Sequence, residues 1–311
     1  MTSDTRRKNL PVDLMYSKAE DKDKLWVELN NKYWNGSTES LEKFFAESFK
    51  LTARTVRHIL SNTNKTPGLI ADIGAGYGQF SLNLVSLGFE VVAIEPSTKD
   101  RKIIKYYYNK LRKKKGRLKV IDGTAEKIPL KSGVVDLCVF SQVLEHVQDP
   151  EKSLKELARI LKPGGFIYLS CPNYFFPVEQ HYHLPYFPLM PKRVFSLWAL
   201  FALKFLNIRK VNWVRERDYS VVKDFVFSLN YTNNRLIERL CRANKLEIEW
   251  SSVEANRDLS GQIKKHWNQK RSKNQLLLVL ISLPKKLLRA AFSEVGILPM
   301  KLEYIIKKPQ L

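Results

Sequence analysis

Three alternate glycines constrain this chain more than any other feature. In Leu69-Ile70-Ala71-Asp72-Ile73-Gly74-Ala75-Gly76-Tyr77-Gly78-Gln79-Phe80 a short apolar run ends in an acid and a glycine turn, and a helical pattern follows. Glycine at 74, 76 and 78 allows positive φ and removes Cβ atoms. A ligand can therefore lie against bare peptide N–H groups at the start of the next helix. Such a turn between a buried strand and a helix binds nucleotides, and its spacing narrows which one. A dinucleotide fingerprint G-x-G-x-x-G would put glycine at 79, where Gln79 stands, and the acid Asp72 comes two residues before the first glycine.

The pattern continues down the chain. Glu90-Val91-Val92-Ala93-Ile94-Glu95-Pro96 reads as a second buried strand closing on a carboxylate, and Leu118-Lys119-Val120-Ile121-Asp122-Gly123-Thr124-Ala125-Glu126 as a third closing on an acid and small residues. Val134 to Phe140 reads as a fourth, followed by Ser141-Gln142-Val143-Leu144-Glu145-His146-Val147. Asp149-Pro150 opens a helix that Leu161-Lys162-Pro163-Gly164-Gly165 ends, before a fifth strand from Phe166 to Cys171.

The form D-x-G-x-G-x-G resembles motif I of the class I S-adenosylmethionine-dependent methyltransferases. The whole series closely resembles the methyltransferases of ubiquinone and menaquinone biosynthesis and their relatives: glycine motif, acid after strand two, D-x-A-E before a proline, E-x-L-E-H, then L-K-P-G-G. The match covers about residues 65 to 171. The resemblance implies an α/β, Rossmann-like, seven-stranded, mostly parallel sheet with helices on both faces, and S-adenosyl-L-methionine as cofactor. It places Asp72, Gly74, Ala75, Gly76, Glu95, Pro96, Asp122, Gly123, Thr124, Ala125, Ser141 and Gln142 at the cofactor. Glu95 would take the two ribose hydroxyls, and Asp122 the adenine amino group beside small residues that leave room for the ring. Some relatives, including metal-dependent RNA and quinone O-methyltransferases, use E-x-x-E-H in a divalent-metal site. The first position here is Gln142, a weaker ligand than carboxylate for a hard cation. No metal is therefore expected, and Glu145 and His146 are read as holding the loop that carries the methionine moiety.

The remainder arranges itself around that core. Residues 1–64 read as a helical N-terminal extension, with Trp26, Tyr33 and Trp34 on one pattern and Leu41, Phe44, Phe45, Phe49 and Leu51 on the next; Arg54 and Arg57 are read as surface residues. Residues 65–171 are the cofactor-binding core, and 172–231 a lid and acceptor insertion. Residues 232–311 return to the core through a sixth strand, 246–250, and an antiparallel seventh, 301–309, with a basic amphipathic insertion at 251–299 between them. In open α/β sheets ligands sit off the carboxyl ends of the parallel strands, so both insertions should roof the cofactor and shape the acceptor site. Val194 to Leu206 is apolar around nearly its whole helical circumference and must be buried in protein or bilayer; Gln275 to Phe292 carries one narrow polar stripe beside a broad apolar face.

Charge points to the partner. The formal net charge of +22 exceeds what solubility asks of a domain and predicts attraction to anionic lipid or polyanions. Between Lys99 and Lys119 eleven Lys or Arg face the single acid Asp100, around Tyr106-Tyr107-Tyr108, and a second basic stretch runs from Arg257 to Lys273. Cys138, Cys171 and Cys241 are odd in number and read as small core residues of a reduced cytosolic protein. No apolar run reaches the roughly twenty residues that span a bilayer. A cytoplasmic protein, peripheral on the inner face of the membrane, is the expected location.

Methyl transfer from a sulfonium is an in-line displacement, so the protein must align the nucleophile and exclude water, and an oxygen or carbon nucleophile also needs a base. Pro172 to Tyr186 leaves strand five crowded with His and Tyr, which marks His181 or His183 as the base and Glu179 as its orienter. The leading reading is O-methylation of a membrane-associated lipid, quinone or lipid-linked glycan. The alternative is an RNA methyltransferase whose basic face tracks phosphates, and a fold that binds cofactor without catalysis is a third.

Overall fold

The computed structural model describes residues 52–62, 66–111, 115–176, 178, 179, 181, 184, 185, 190–205, 219–230, 232–255 and 301–310. The expected extension helices before residue 52, the base candidate His183 and the basic insertion over 256–299 lie outside these residues. Two compact units divide the chain at residue 124.

The first unit opens with a helix, α1, over 52–62, which buries Val56 and Ile59 and leaves Arg54 and Arg57 exposed. Strand β1 (Leu69–Ile73), helix α2 (Gln79–Ser86), β2 (Glu90–Ile94), helix α3 (Thr98–Lys110) and β3 (Arg117–Ile121) follow. The strands pair in parallel, with Ile73 opposite Ile94 and Ile94 opposite Ile121, so their carboxyl ends are level. The apolar runs Leu69–Ile73 and Glu90–Ile94 form strands because nearly every side chain in them is buried, the pattern of a parallel sheet covered on both faces. Ser97 caps α3 by accepting from the Asp100 amide, and Asp100 complements the positive end of the helix.

In the second unit β4 (Val135–Ser141) runs parallel to β5 (Leu161–Pro172), with helix α4 (Pro150–Ile160) between them. Asp149 caps α4 by accepting from the Lys152 amide, and Pro150 occupies the first turn, where its missing N–H costs nothing. Then come a short hairpin, β6 (Val178–Glu179) and β7 (Leu184–Pro185), and three helices, α5 (Lys192–Phe205), α6 (Tyr219–Ser228) and α7 (Asn234–Ala243). Strand β9 (Lys301–Lys307) is antiparallel both to β5 and to β8 (Glu247–Ser251), and lies between them. Within each unit the main strands pair in parallel except for the β9 pairings, and the seven main strands among the described residues belong to the Rossmann-like α/β class.

Helices α5 and α6 hold a small core of their own, in which Phe195, Ala199 and Ala202 meet Val222, Val226 and Leu184. Burial of a side chain the size of Phe195 is worth roughly 1.5–3 kcal/mol. The opposite face of α5 stays in solvent: Val194, Leu197 and Phe201 are 50%, 56% and 48% exposed. Of the helix expected to be buried in protein or bilayer, protein thus covers one side only. Cys138, Cys171 and Cys241 are all free and buried, as their placement in apolar segments predicts.

Candidate active site

The glycine turn is stitched to its neighbouring strand by peptide groups. Gly74 and Ala75 donate their N–H groups to the Ile94 carbonyl at 2.8 and 3.1 Å, and Gly78 donates to Ala75 at 2.8 Å. Gly74, Gly76 and Gly78 have φ of 65°, 53° and 81°, the left-handed region that only glycine enters freely. Two of them answer to different needs. A Cβ at Gly76 would meet no atom within 4 Å, which leaves room for a ligand, whereas one at Gly78 would meet Ile104 Cγ1 at 3.0 Å, so Gly78 permits close packing of α2 on α3.

Three acids surround this turn, each with a partner. Glu95, 7% exposed, accepts from Gly76 N–H through Oε2 at 2.8 Å and from Ser97 N–H through Oε1 at 2.9 Å. Burial pushes its carboxyl above the usual range and the two amides oppose that push. A carboxylate offers about four acceptor positions, so Glu95 retains capacity for the two hydroxyls of a ribose. Asp72 is buried, and its Oδ2 accepts from the Ser81 amide at 3.0 Å and the Ser81 hydroxyl at 2.6 Å. Desolvation raises its carboxyl to about 6 despite those bonds. Asp72 thus anchors the first turn of α2, and through it the glycine turn. Asp122 is solvent-exposed, and its Oδ1 accepts from Arg101 at 2.8 Å.

Arg101 and Ser81 did not stand out in the sequence. Arg101 lies in a run of eleven basic residues that reads as a solvated face. In the fold its Nη1 also donates to the carbonyls of Glu95 and Pro96, each at 2.7 Å, and Nη2 to Thr98 Oγ1 at 2.9 Å. One guanidinium therefore ties the loop that carries Glu95 to the tip of β3. Of the residues expected around the adenine, Gly123 is half-buried and Thr124 exposed, while Ala125 is buried at the start of the second unit.

The second unit gathers a different set of groups. At the end of β4, Ser141 Oγ bonds Ser170 Oγ at 2.8 Å, and the Gln142 amide donates to the Ser170 carbonyl at 2.7 Å. Gln142 has φ of 58°, left-handed in a residue that pays for it with strain. Just beyond, Glu145 is buried with neither carboxylate oxygen bonded to another described residue. Burial raises its carboxyl to about 7. The Asn230 amide donates to the Glu145 carbonyl at 2.7 Å, and Asn230 Nδ2 donates to the Val147 carbonyl, which fixes this loop from below α6.

From the β6–β7 hairpin comes His181, of which Glu179 grips two groups: Oε1 bonds ring Nδ1 at 2.6 Å and Oε2 accepts the backbone amide at 2.8 Å. A carboxylate only accepts, so in the neutral ring Nδ1 carries the hydrogen. Glu179 thus holds both the ring and the backbone of His181. The His181 ring meets those of His146 and Phe225 edge-on at centroid distances of 5.5 Å. Desolvation, then the neighbouring His181, moves His146 down to about 4; solvent reaches this ring and weakens the push, but its direction keeps the imidazole neutral. Ligand atoms of Glu145, His146 and His181 lie within 4.8 Å of one another. The sequence sets His181 apart from Glu145 and His146, and only the hairpin brings the three together.

Residues 71–169 match the family model described as Methyltransferase domain. Among curated proteins the chain is 32% identical over 121 residues to an uncharacterized methyltransferase of Mycobacterium sp. (strain JLS), covering 38% of this chain and 45% of that protein. It is 36% identical over 96 residues to the uncharacterized methyltransferase Rv3342 of Mycobacterium tuberculosis (strain ATCC 25618 / H37Rv), covering 31% and 36%. The chain thus spans less than half the length of these relatives. A solved S-adenosylmethionine-dependent methyltransferase from Methanosarcina mazei aligns at 19% identity and a TM-score of 0.47, over 81% of this chain and 98% of that one, a likeness too loose to add to the assignment. The matched segment and the glycine turn define the class: the chain carries a class I S-adenosylmethionine-dependent methyltransferase domain.

Proposed function

We propose that the chain transfers the methyl group of S-adenosylmethionine to an oxygen of a membrane-associated amphiphile, a lipid, quinone or lipid-linked glycan. The observation that carries the donor half is the bond from Gly76 N–H to Glu95 at 2.8 Å, which sets a buried carboxylate against an open glycine turn. On this reading Glu95 holds the ribose, Asp122 faces the adenine, and Gly74, Ala75 and Gly76 leave peptide groups to the rest of the donor. His181, held by Glu179, is the acceptor-activating residue, with His183 the second candidate.

The amphiphile is supported by the exposed apolar face of α5 together with the net charge of +22. An exposed stripe of Val194, Leu197 and Phe201 beside Arg193, with Trp198 stacked on Phe201 at 6.0 Å, has the composition of a helix that lies in a membrane interface. Lysine and arginine near an anionic surface add about 1 kcal/mol each. No described helix is long and apolar enough to cross a membrane. The RNA reading loses an element of support, because Tyr107, one of the three tyrosines among the basic residues, is buried with Tyr106 packed edge-on against it at 5.4 Å.

Labelled S-adenosylmethionine incubated separately with a membrane lipid extract and with total RNA tests the assignment. Label is expected in the lipid fraction; label in RNA alone would replace the acceptor, and label in neither, with cofactor bound, would leave a binding module. His181→Ala is expected to lower turnover at least a hundredfold without changing cofactor affinity, in line with the loss of a group that activates the nucleophile.

A further inference from the structure

We infer that helices α5 and α6 together form a docking surface for an anionic lipid bilayer, and that the acceptor is met at that surface. The inference rests on the reading of the acceptor as a membrane-associated amphiphile, and deepens it by naming the residues that touch the membrane.

Monomeric proteins rarely leave contiguous apolar patches in water without a use for them. The large hydrophobic side chains exposed among the described residues all belong to this one helix pair: Val194, Leu197 and Phe201 on α5, and Phe227, 41% exposed, on α6. Steps of three and four residues keep 194, 197 and 201 on a single stripe. Trp198, half-buried against the core of the pair, stacks on Phe201 at a centroid distance of 6.0 Å. Such an amphipathic ring favours the boundary between water and hydrocarbon.

Charge selects the occupant. Arg193 and Lys223 are exposed, and each stands four residues before an exposed apolar side chain of its own helix, Leu197 and Phe227. The sequence of α5 holds Lys192, Arg193 and Lys204 and no acid, whereas on α6 the exposed Asp224 follows Lys223. Cations beside an apolar stripe fit headgroup phosphates above acyl chains. A second copy of the chain would instead bring like charges together, at +22 a chain. Lys192 serves the surface from beneath. Its Nζ donates to the carbonyls of Phe227 and Leu229 at 3.0 and 2.6 Å, which sets Phe227 beside the first turn of α5.

The same pair walls the acceptor end of the site. Phe225, two residues before Phe227, meets the His181 ring edge-on at 5.5 Å, and Leu184 of the β6–β7 hairpin packs in the core of α5 and α6. Helix α6 thus turns one aromatic ring to the histidine and another to solvent. A bilayer seated on Phe227 lies one helix away from His181.

The test sediments the full chain with vesicles of phosphatidylcholine alone and of equimolar phosphatidylcholine and phosphatidylglycerol. Binding to the anionic vesicles is expected, and should weaken at high salt. Lipids brominated in their acyl chains should quench tryptophan fluorescence, and Trp198→Phe should reduce that quenching. Leu197→Ser combined with Phe201→Ser should weaken binding at least about tenfold, since both side chains leave water for the acyl chains. Lys223→Glu should weaken it about a fewfold, on the anionic vesicles alone. Circular dichroism checks that each variant folds, and Lys223→Glu carries the test should the double variant not fold. No binding by the wild type, wild-type affinity in either folded variant, or binding without quenching would overturn the inference. So would an oligomer in analytical ultracentrifugation that the double variant dissolves, which makes this face an interface between copies. Labelled S-adenosylmethionine with lipid extract separates the two claims. Label in lipid, with the double variant binding vesicles like wild type, removes the docking surface and keeps the methyltransferase reading; weakened vesicle binding by that variant, with no label in lipid from the wild type, does the reverse.

Discussion

The donor cradle of the first unit and the histidine cluster of the second solve recognition by opposite means. In the cradle every acid is answered from within: Glu95 by two peptide amides, Asp72 by Ser81, Asp122 by Arg101. Its open surface is backbone, exposed because glycine lacks a Cβ. In the cluster the backbone recedes and side chains converge from a strand end and a hairpin, with neither carboxylate oxygen of the buried Glu145 hydrogen-bonded to another described residue. A surface of peptide groups is complete before its ligand arrives, whereas a buried acid beside two imidazoles is complete only once something positive or protic joins it.

Breaking the cradle should leave the cluster untouched. Glu95→Ala removes the acceptor proposed for both ribose hydroxyls, and at 1.5–3 kcal/mol per charged hydrogen bond it should weaken cofactor binding by at least about a hundredfold. Calorimetry reads this, and unaltered affinity would refute the assigned role of Glu95.

Next in size is a contrast between two glycines. Gly78→Val forces a branched side chain into φ of 81° and against Ile104 at 3.0 Å, and should cost about 2–3 kcal/mol in urea unfolding. Gly76→Ala meets open space, so only the conformational penalty remains, about 1 kcal/mol. Equal losses would mean that packing at Ile104 is not what position 78 serves.

Ser81→Ala sharpens the comparison through pH. Asp72 has a folded pKa of about 6, above its unfolded value of 3.8, so the native state holds this proton more tightly. The stability it contributes is full below about pH 4 and is lost as pH rises through 6. Above that point the buried carboxylate depends on Ser81. The substitution should cost about 2 kcal/mol near neutral pH and clearly less at about pH 5, read from chemical denaturation at both values. A cost independent of pH would mean that the Ser81 hydroxyl serves packing instead. The smallest effect is expected from Arg101→Met. Its partner Asp122 is 71% exposed and the ion pair weak, so the loss lies in loop placement, a fewfold rise in cofactor Kd with kcat unchanged.

The difference between the two regions also explains what the sequence made legible. The runs 69–73 and 90–94 each end in a carboxylate at a strand tip, and an apolar run followed by glycine or acid is a local signal. A local cap was equally readable, as Asp149 shows by accepting from the Lys152 amide. The fifth strand, read from Phe166, begins at Leu161, because a register shift between Val135 and Leu137 lets Val135 pair with Leu161. No local pattern encodes that pairing. Helix α5 misled for a related reason: its apolar circumference is a property of composition, while which side is buried depends on the arrival of α6. Glu145 and His181 met the same obstacle, since a hairpin turn rather than any periodicity brings them together.

Asn230 gives this arrangement a mechanical meaning. It follows α6 directly and bonds the carbonyls of Glu145 and Val147, so the helix pair and the histidine-bearing loop share a hinge pin. Should the exposed flank of α5 meet a membrane, as proposed, it would do so on the helix pair whose end anchors the loop of Glu145 and Val147.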